Sequence, residues 1–383
     1  MPNRKIAVVV ASRANYGRVK SLLTAIKEDK DLELQLIVGA STLLHRFGRA
    51  VDQIKNDGFK PLAEIYYVLE GENLETQAKS TGLGIIELTS VFTRLKPDIV
   101  VTVADRFETM STAIAASYLN IPLAHVQGGE VTGNIDETVR HAITKLSHYH
   151  FPSTEKSKER ILKMGEEEWR VLNSGCPSID TLYNQDLKIH SGLWKNYNQV
   201  GVKFKFDKPY ILMVQHPVTN SYGDGLRQIN ETLNALKERP EHKVVLWPNI
   251  DAGSDDIAKG IRAFRENNEL VKFSFYKNFS PEDYNVILNN AVCTVGNSSS
   301  FIREGSHLGV PSVVIGDRQK NREHSENILF ADYDQDDILA KIDIQLRKKR
   351  FKKSHIFGQG NAGEQIKNYL KTIKIDINKV ITY

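Results

Sequence analysis

Short apolar runs rich in β-branched residues alternate with longer amphipathic stretches along this chain, and that alternation restricts the fold more than any other feature. In the first half, strands are expected at Ile6–Ala11, Leu34–Gly39, Ile99–Ala104, Leu123–Val126 and His148–Phe151. Helical segments such as Gly17–Asp29 and Phe107–Leu119 lie between them. The apolar runs are continuous rather than alternating. Both faces of each strand are then buried, as in a parallel sheet covered by helices. The second half repeats the pattern with Tyr210–Val214, Lys243–Trp247, Val271–Phe275, Ala291–Val295 and Ser312–Ile315, spaced by segments such as Leu226–Arg239 and Pro281–Asn289. A chain of 383 residues exceeds one ordinary core. The expected fold is therefore α/β, with two Rossmann-like doubly wound domains. Gly175–Lys208 has little periodicity and marks the boundary, giving domains 1–183 and 184–363. A last amphipathic stretch, Glu364–Ile373, gives a C-terminal helix within 364–383 that is expected to pack back on the first domain.

Charge and cysteine content narrow the function classes. Lysine and arginine total 51 against 47 acidic residues, a net +4 spread along the chain. That balance argues against a dedicated nucleic-acid binder and suits a modestly anionic ligand. Arg347–Lys353 is the sharpest basic cluster, read as a solvated helix end or loop, with nucleic-acid contact or targeting as the alternative. Two distant cysteines, Cys176 and Cys293, form neither a disulfide framework nor a zinc site. The apolar stretch after Met1-Pro2-Asn3-Arg4-Lys5 is too short for a signal peptide, and no later run has spanning length. A reduced, cytoplasmic setting without membrane binding is expected.

Ligands of open α/β sheets bind beyond the carboxyl ends of the strands, so the residues that follow each strand carry the argument. Ser12-Arg13-Ala14-Asn15-Tyr16-Gly17 follows the first strand. Arg13 can fork its donors onto a diphosphate, and Gly17 lets a ligand approach the backbone. Both read equally as a surface ion pair and a turn glycine. Asp105-Arg106-Phe107-Glu108 ends Ile99–Ala104 with a carboxylate that either faces the ligand or caps the next helix. The segment His125–Glu137 packs an imidazole, two glycines and several carboxylates, Glu130 and Asp136 among them, ahead of Arg140 and His141. Such a group must be solvated, paired or functional, and neighbouring carboxylates suit acid and base roles. It holds no H-x-x-x-H pair or thiolate, so a metal is not expected. His216 follows Tyr210–Val214 as general acid, phosphate donor or part of a turn. Gly296-Asn297-Ser298-Ser299-Ser300, ahead of an expected helix through Arg303, Glu304 and His307, offers amides and hydroxyls to a phosphate; an ordinary serine cap is the plainer reading. Arg318 adds a cation after the next strand. The string Gly358–Gly363 matches G-x-G-x-x-G, yet it stands too near the C-terminus for a dinucleotide unit and reads as a turn entering the last helix.

Taken in order, Asp105-Arg106-Phe107, Gly128-Gly129-Glu130 through Asp136, Arg140–Leu146, Gln215-His216-Pro217-Val218-Thr219, Pro248-Asn249-Ile250-Asp251-Ala252-Gly253 and Gly296-Asn297-Ser298-Ser299 resemble the hydrolysing UDP-N-acetylglucosamine 2-epimerase family over nearly the whole chain. The resemblance implies a GT-B-type fold with its active site in the interdomain cleft, a homodimer or homotetramer, and N-acetylmannosamine made for sialic-type acids. It implies a first domain with the catalytic carboxylates and a second that binds UDP. Arg13, Arg106, His216, Asn249, Ser298, Ser299, Glu304 and Arg318 match the UDP set, with the main chain near Phe279 holding uracil. Asp105, Glu130 and Asp136 match the catalytic carboxylates, with His216 beside the leaving diphosphate. No cofactor is expected.

Two departures bear on chemistry. Gln127 stands where relatives often carry a glutamate; a neutral amide is no general base, so Gln127 is expected to orient substrate. Thr42 stands where many relatives have a histidine, in a loop that faces the sugar, so the sugar itself can differ. A related branch hydrolyses UDP-2,4-diacetamido-2,4,6-trideoxyglucose in legionaminic acid synthesis. A GT-B glycosyltransferase, a non-hydrolysing epimerase and a non-catalytic UDP-sugar-binding module are the rival readings.

Overall fold

The computed structural model describes residues 3–183, 185–268 and 271–382. Asn184, with which the second domain is expected to begin, lies outside the described residues, as do Met1 and Pro2. Contacts divide the chain into two compact units. One comprises Met1–Glu130, Ile135–Tyr183 and Ile356–Tyr383; the other comprises Val131–Asn134 and Asn184–His355.

The first unit holds six strands: β1 (Arg4–Val10), β2 (Leu32–Gly39), β3 (Ala63–Ile65), β4 (Ile99–Val103), β5 (Leu123–Val126) and β6 (Tyr149–Phe151). They pair in the order β3-β2-β1-β4-β5-β6, and every pair is parallel. Val8 of β1 sits between Leu36 of β2 and Val101 of β4. The winding reverses between β1 and β4, and this is the switch point where such sheets open a ligand crevice. Continuous apolar strands are needed because both faces are covered. Leu22, Ile26 and Ile366 pack in one core, and Leu88, Phe92 and Ala116 in another.

The second unit repeats that winding. Its strands are β7 (Val200–Gly201), β8 (Tyr210–Val214), β9 (His242–Leu246), β10 (Phe273–Tyr276), β11 (Cys293–Gly296), β12 (Ser312–Ile315) and β13 (Ile328–Ala331). The order is β13-β12-β11-β8-β9-β10-β7, with a switch point between β8 and β11. Among the described strands β7 alone runs antiparallel, at the sheet edge. The chain is thus α/β, with two doubly wound sheets.

The C-terminal helix Ala362–Thr372 lies in the first unit and packs on the helix Arg13–Glu28. Asp180 accepts the amides of Ala362 and Gly363 at 3.0 and 2.7 Å, which caps its first turn. The glycine string Gly358–Gly363 leads into this helix through Gly358–Asn361, and its last two residues, Ala362 and Gly363, are the first of the helix.

Gly296 shows what the second switch point demands of the backbone. Its φ is +132°, and a Cβ there would lie 2.1 Å from the Val214 carbonyl oxygen. Gly82, on an exposed face of the helix Leu74–Leu95, has open space instead. Gly296→Ala is expected to lower stability by at least about 2 kcal/mol in chemical denaturation. Gly82→Ala should raise it by about 0.5–1 kcal/mol in the same measurement.

Candidate active site

At the first switch point the chain leaves β1 through Ser12, whose hydroxyl accepts the Asn15 amide at 3.2 Å and starts a helix at Arg13. Arg13 is therefore the first helical residue rather than part of a loop, and Gly17 stands in the second turn, half-buried.

Three strand ends carry non-glycine residues in the left-handed region: Ala40 (φ +49°) after β2, Ala104 (φ +64°) after β4 and Gln127 (φ +66°) after β5. Each costs on the order of 1 kcal/mol and persists only where its surroundings enforce it. The Ala104 amide donates to Val126 O at 2.9 Å, and its carbonyl lies 2.8 Å from His125 Nε2. Burial drives the His125 pKa down to about 3, so the ring is neutral and braces the turn. From sequence this imidazole stands among the ionisable groups of the segment, but its burial makes it a support.

Asp105, directly after Ala104, meets the guanidinium of Arg140 through Oδ2. Arg140 has no exposed surface. Its Nη1 donates to Glu130 O at 2.8 Å and pairs with Glu137 Oε2 at 3.4 Å. Burial alone would lower its pKa, but Asp105, Glu130 and Asp136 outweigh burial and raise it. The three carboxylates singled out from sequence thus gather around one cation. In the sequence Arg140 stands out only as part of a motif; the signal for its role is its spacing, one helical turn after Asp136 on the helix Asp136–Leu146.

Other residues of this unit have different surroundings. Arg106 precedes the helix Phe107–Tyr118, buried beside Glu108 with Nε 2.8 Å from Oε1. Gln127 is fully buried; its Nε2 donates to Cys176 Sγ at 2.9 Å, and its Oε1 has no protein partner. Gly129 (φ +73°) leaves no room for a side chain, since a Cβ would stand 2.3 Å from Ser157 O. That glycine serves the approach of the chain to the helix Glu155–Lys163.

Asn297 organises the second switch point. Its Oδ1 accepts the His216 amide at 2.7 Å, and its Nδ2 donates to the His216 carbonyl at 2.8 Å. Its own carbonyl accepts Gln319 Nε2 at 2.9 Å and Arg318 Nη1 at 3.5 Å. The Asn249 amide donates to His216 Nδ1 at 3.2 Å. Nδ1 therefore carries a lone pair and the ring proton sits on Nε2, which makes His216 a neutral hydrogen-bond donor. Arg318 is buried, with Nη2 3.5 Å from Asp251 Oδ2.

The helix expected through Arg303 breaks there, into Ser299–Ile302 and Glu304–Leu308. Ser298 Oγ accepts the Ser300 amide at 3.4 Å and lies 2.8 Å from Ser300 Oγ. Successive serines compete with the helix for its own backbone. The segment offers turn amides and hydroxyls at Ser298 and Ser299 rather than the dipole of a long helix. Glu304 Oε2 is buried without a hydrogen-bond partner. Phe279 is buried edge-on to Tyr197, with ring centroids 4.6 Å apart. Among the described residues no cluster of three or more His, Cys, Asp or Glu could hold a metal ion, and no helix is long and apolar enough to cross a membrane.

Residues 24–371 match the profile of the UDP-N-acetylglucosamine 2-epimerase family. The chain is 33% identical over 383 residues to a hydrolysing UDP-N,N'-diacetylbacillosamine 2-epimerase of Legionella pneumophila, covering 99% of this chain and 100% of that protein. It is 33% identical to a hydrolysing GDP/UDP-N,N'-diacetylbacillosamine 2-epimerase of Campylobacter jejuni, covering 92% and 90%. A solved UDP-GlcNAc 2-epimerase of Methanocaldococcus jannaschii, in complex with UDP-GlcNAc and UDP, shares the fold at a TM-score of 0.79 and 19% identity, covering 96% and 99%. By the family profile and the full-length relatives, this chain belongs to the UDP-N-acetylglucosamine 2-epimerase family.

Proposed function

We propose that this chain is a hydrolysing 2-epimerase that converts a UDP-linked 2-acetamido sugar and water into UDP and the free, C2-inverted sugar. The observation that carries the reading is the gathering of Asp105, Glu130 and Asp136 around Arg140 at the end of β4 and β5. Proton transfer at carbon needs carboxylates held at fixed positions, and a buried cation keeps several of them together.

The C2 proton of the sugar is not acidic while UDP is attached. Departure of UDP builds positive charge at C1 and the ring oxygen, which acidifies C2. In the first step the C1–O bond to UDP breaks, and one carboxylate of the set takes the C2 proton, leaving a glycal. In the second step water bonds to C1 through its oxygen and gives up one proton, while an acid group delivers a proton to C2 from the opposite face and is reprotonated by the one that water lost. The proton taken first is then released to solvent. The diphosphate ligands of this reading are, in the second unit, His216 donating from Nε2, the Arg318 cation and the amides and hydroxyls of the Ser298–Ser299 turn, and, in the first unit, the Arg13 cation. Glu304, with its unpartnered Oε2, suits a ribose hydroxyl.

UDP-GlcNAc, giving N-acetylmannosamine for sialic-type acids, is the substrate that the sequence resemblance favours. The identity to the Legionella and Campylobacter enzymes supports the second sugar, N,N'-diacetylbacillosamine, which is 2,4-diacetamido-2,4,6-trideoxyglucose. We favour the diacetamido sugar. Incubation of the purified protein with each UDP-sugar, with NMR of the released sugar, decides between them. A glycosyltransferase would need an acceptor to release UDP, a non-hydrolysing epimerase would return the UDP-sugar, and a binding module would release none.

Turnover in deuterated water should place deuterium at C2 of the product; product without it excludes the elimination route. Asp136→Asn is expected to lower kcat by at least about 10²-fold with little change in UDP affinity. Ser298→Ala combined with Arg318→Ala should instead weaken UDP binding, read by calorimetry.

A further inference from the structure

The C-terminal segment 374–382 forms neither helix nor strand, yet it is fastened to the first unit. Its large apolar side chains do little of this, since Ile375, Ile377, Val380 and Ile381 are all more than a third exposed. Polar contacts hold it instead. Arg170, wholly buried, donates to Asp376 O at 3.0 Å and Asn378 O at 2.6 Å. Tyr149 Oη accepts the Asp376 amide at 3.1 Å, and the Thr382 amide donates to Gly165 O at 3.0 Å.

Lys379 is the centre of this strap. Its ammonium donates to Lys145 O at 2.9 Å, Ser147 O at 2.6 Å and Thr144 O at 3.4 Å. These carbonyls belong to the last turn and the C-cap of the helix Asp136–Leu146, where the intrahelical ladder ends; the Thr144 carbonyl also accepts the Ser147 amide at 3.1 Å. A cation there also meets the negative end of the helix dipole. The same ammonium lies 2.6 Å from Glu166 Oε2, a carboxylate with no exposed side-chain surface. Lys145 Nζ reaches the other oxygen of Glu166 at 2.6 Å, and His150 Nε2 stands 3.0 Å from Oε2. Burial raises the Glu166 pKa, but hydrogen bonds from His150, Lys145 and Lys379 hold it down to about 2. The opposite half of this helix carries Asp136 and Arg140, and its Thr144 Oγ1 stands 3.3 Å from His125 Nδ1. A helix is stiff over three turns, so what fixes one end aims the other.

We infer that Lys379 is a positioning residue for the reaction: by binding the last carbonyls of the helix Asp136–Leu146 and the buried Glu166, it fixes the helix that presents Asp136 and Arg140 to the carboxylate site. Lys145 cannot replace it, because its ammonium goes to Glu166 and Met164 O, not to the carbonyls of its own helix end. The inference rests on the function proposed above, so its test includes a readout that needs no turnover.

The full-length protein is compared with Lys379→Met and Lys379→Arg by hydrogen exchange of the 136–147 amides and by kcat and KM for UDP release. Lys379→Gln substitutes for Lys379→Met if the latter does not fold. The expected result is faster exchange confined to that helix and a kcat lower by about tenfold, with KM within about twofold. Lys379→Arg should restore both. Unchanged exchange, or wild-type kcat in Lys379→Met, overturns the inference and leaves the proposed function standing. A wild-type protein that releases no UDP overturns the proposed function, and exchange then decides the inference alone.

Discussion

A guanidinium with no exposed surface is among the costliest groups to bury, and it stays charged only where opposite charge and hydrogen-bond acceptors meet it. Arg140 is met by the Asp105 carboxylate from the end of β4, by the Glu130 carbonyl after β5, and by Glu137 and Asp136 on its own helix. One side chain therefore ties two strand ends to a helix. The carboxylates would repel one another without it, and the arginine would be expelled without them. Their mutual dependence is what allows several acidic groups to be held close together at these strand ends.

The second unit solves a different problem at the equivalent place in its winding. Its centre is Asn297, whose neutral side-chain amide grips the backbone N–H and C=O of His216 while its main-chain carbonyl accepts from Arg318 and Gln319. An amide brings no charge of its own. It leaves the positive field to the arginine and the directional donor to the imidazole. Proton chemistry suits the first arrangement, and anion binding suits the second.

Much of this architecture is legible in the residues, for a physical reason. Strands buried on both faces must be apolar at successive positions, so β5, β8 and β12 fall where the apolar runs stand, and most others within one or two residues. β3, β7 and β13 escape because they are two to four residues long and at or beside sheet edges, with partly exposed side chains. The helix Leu74–Leu95 lies outside the expected elements, although Asn73 and Thr76 cap it reciprocally. At the site, Asp105, Glu130 and Asp136 announce themselves by following strands. Arg140 as their shared partner does not, because its role exists only once β4, β5 and the helix converge. Lys379 is harder still. Nothing local marks a lysine 234 residues from the carbonyl it binds.

The left-handed turns at Ala104 and Gln127 have a consequence for how such a protein can change. Glycine at either position would relax the backbone, and relaxation is what selection for robustness rewards. The residue that follows Ala104 is Asp105, and a looser hinge would spread the directions in which its carboxylate points. Under the role proposed for Asp105, thermal endurance and chemical competence therefore pull against each other at Ala104, and a variant drifting toward glycine there would trade the second for the first.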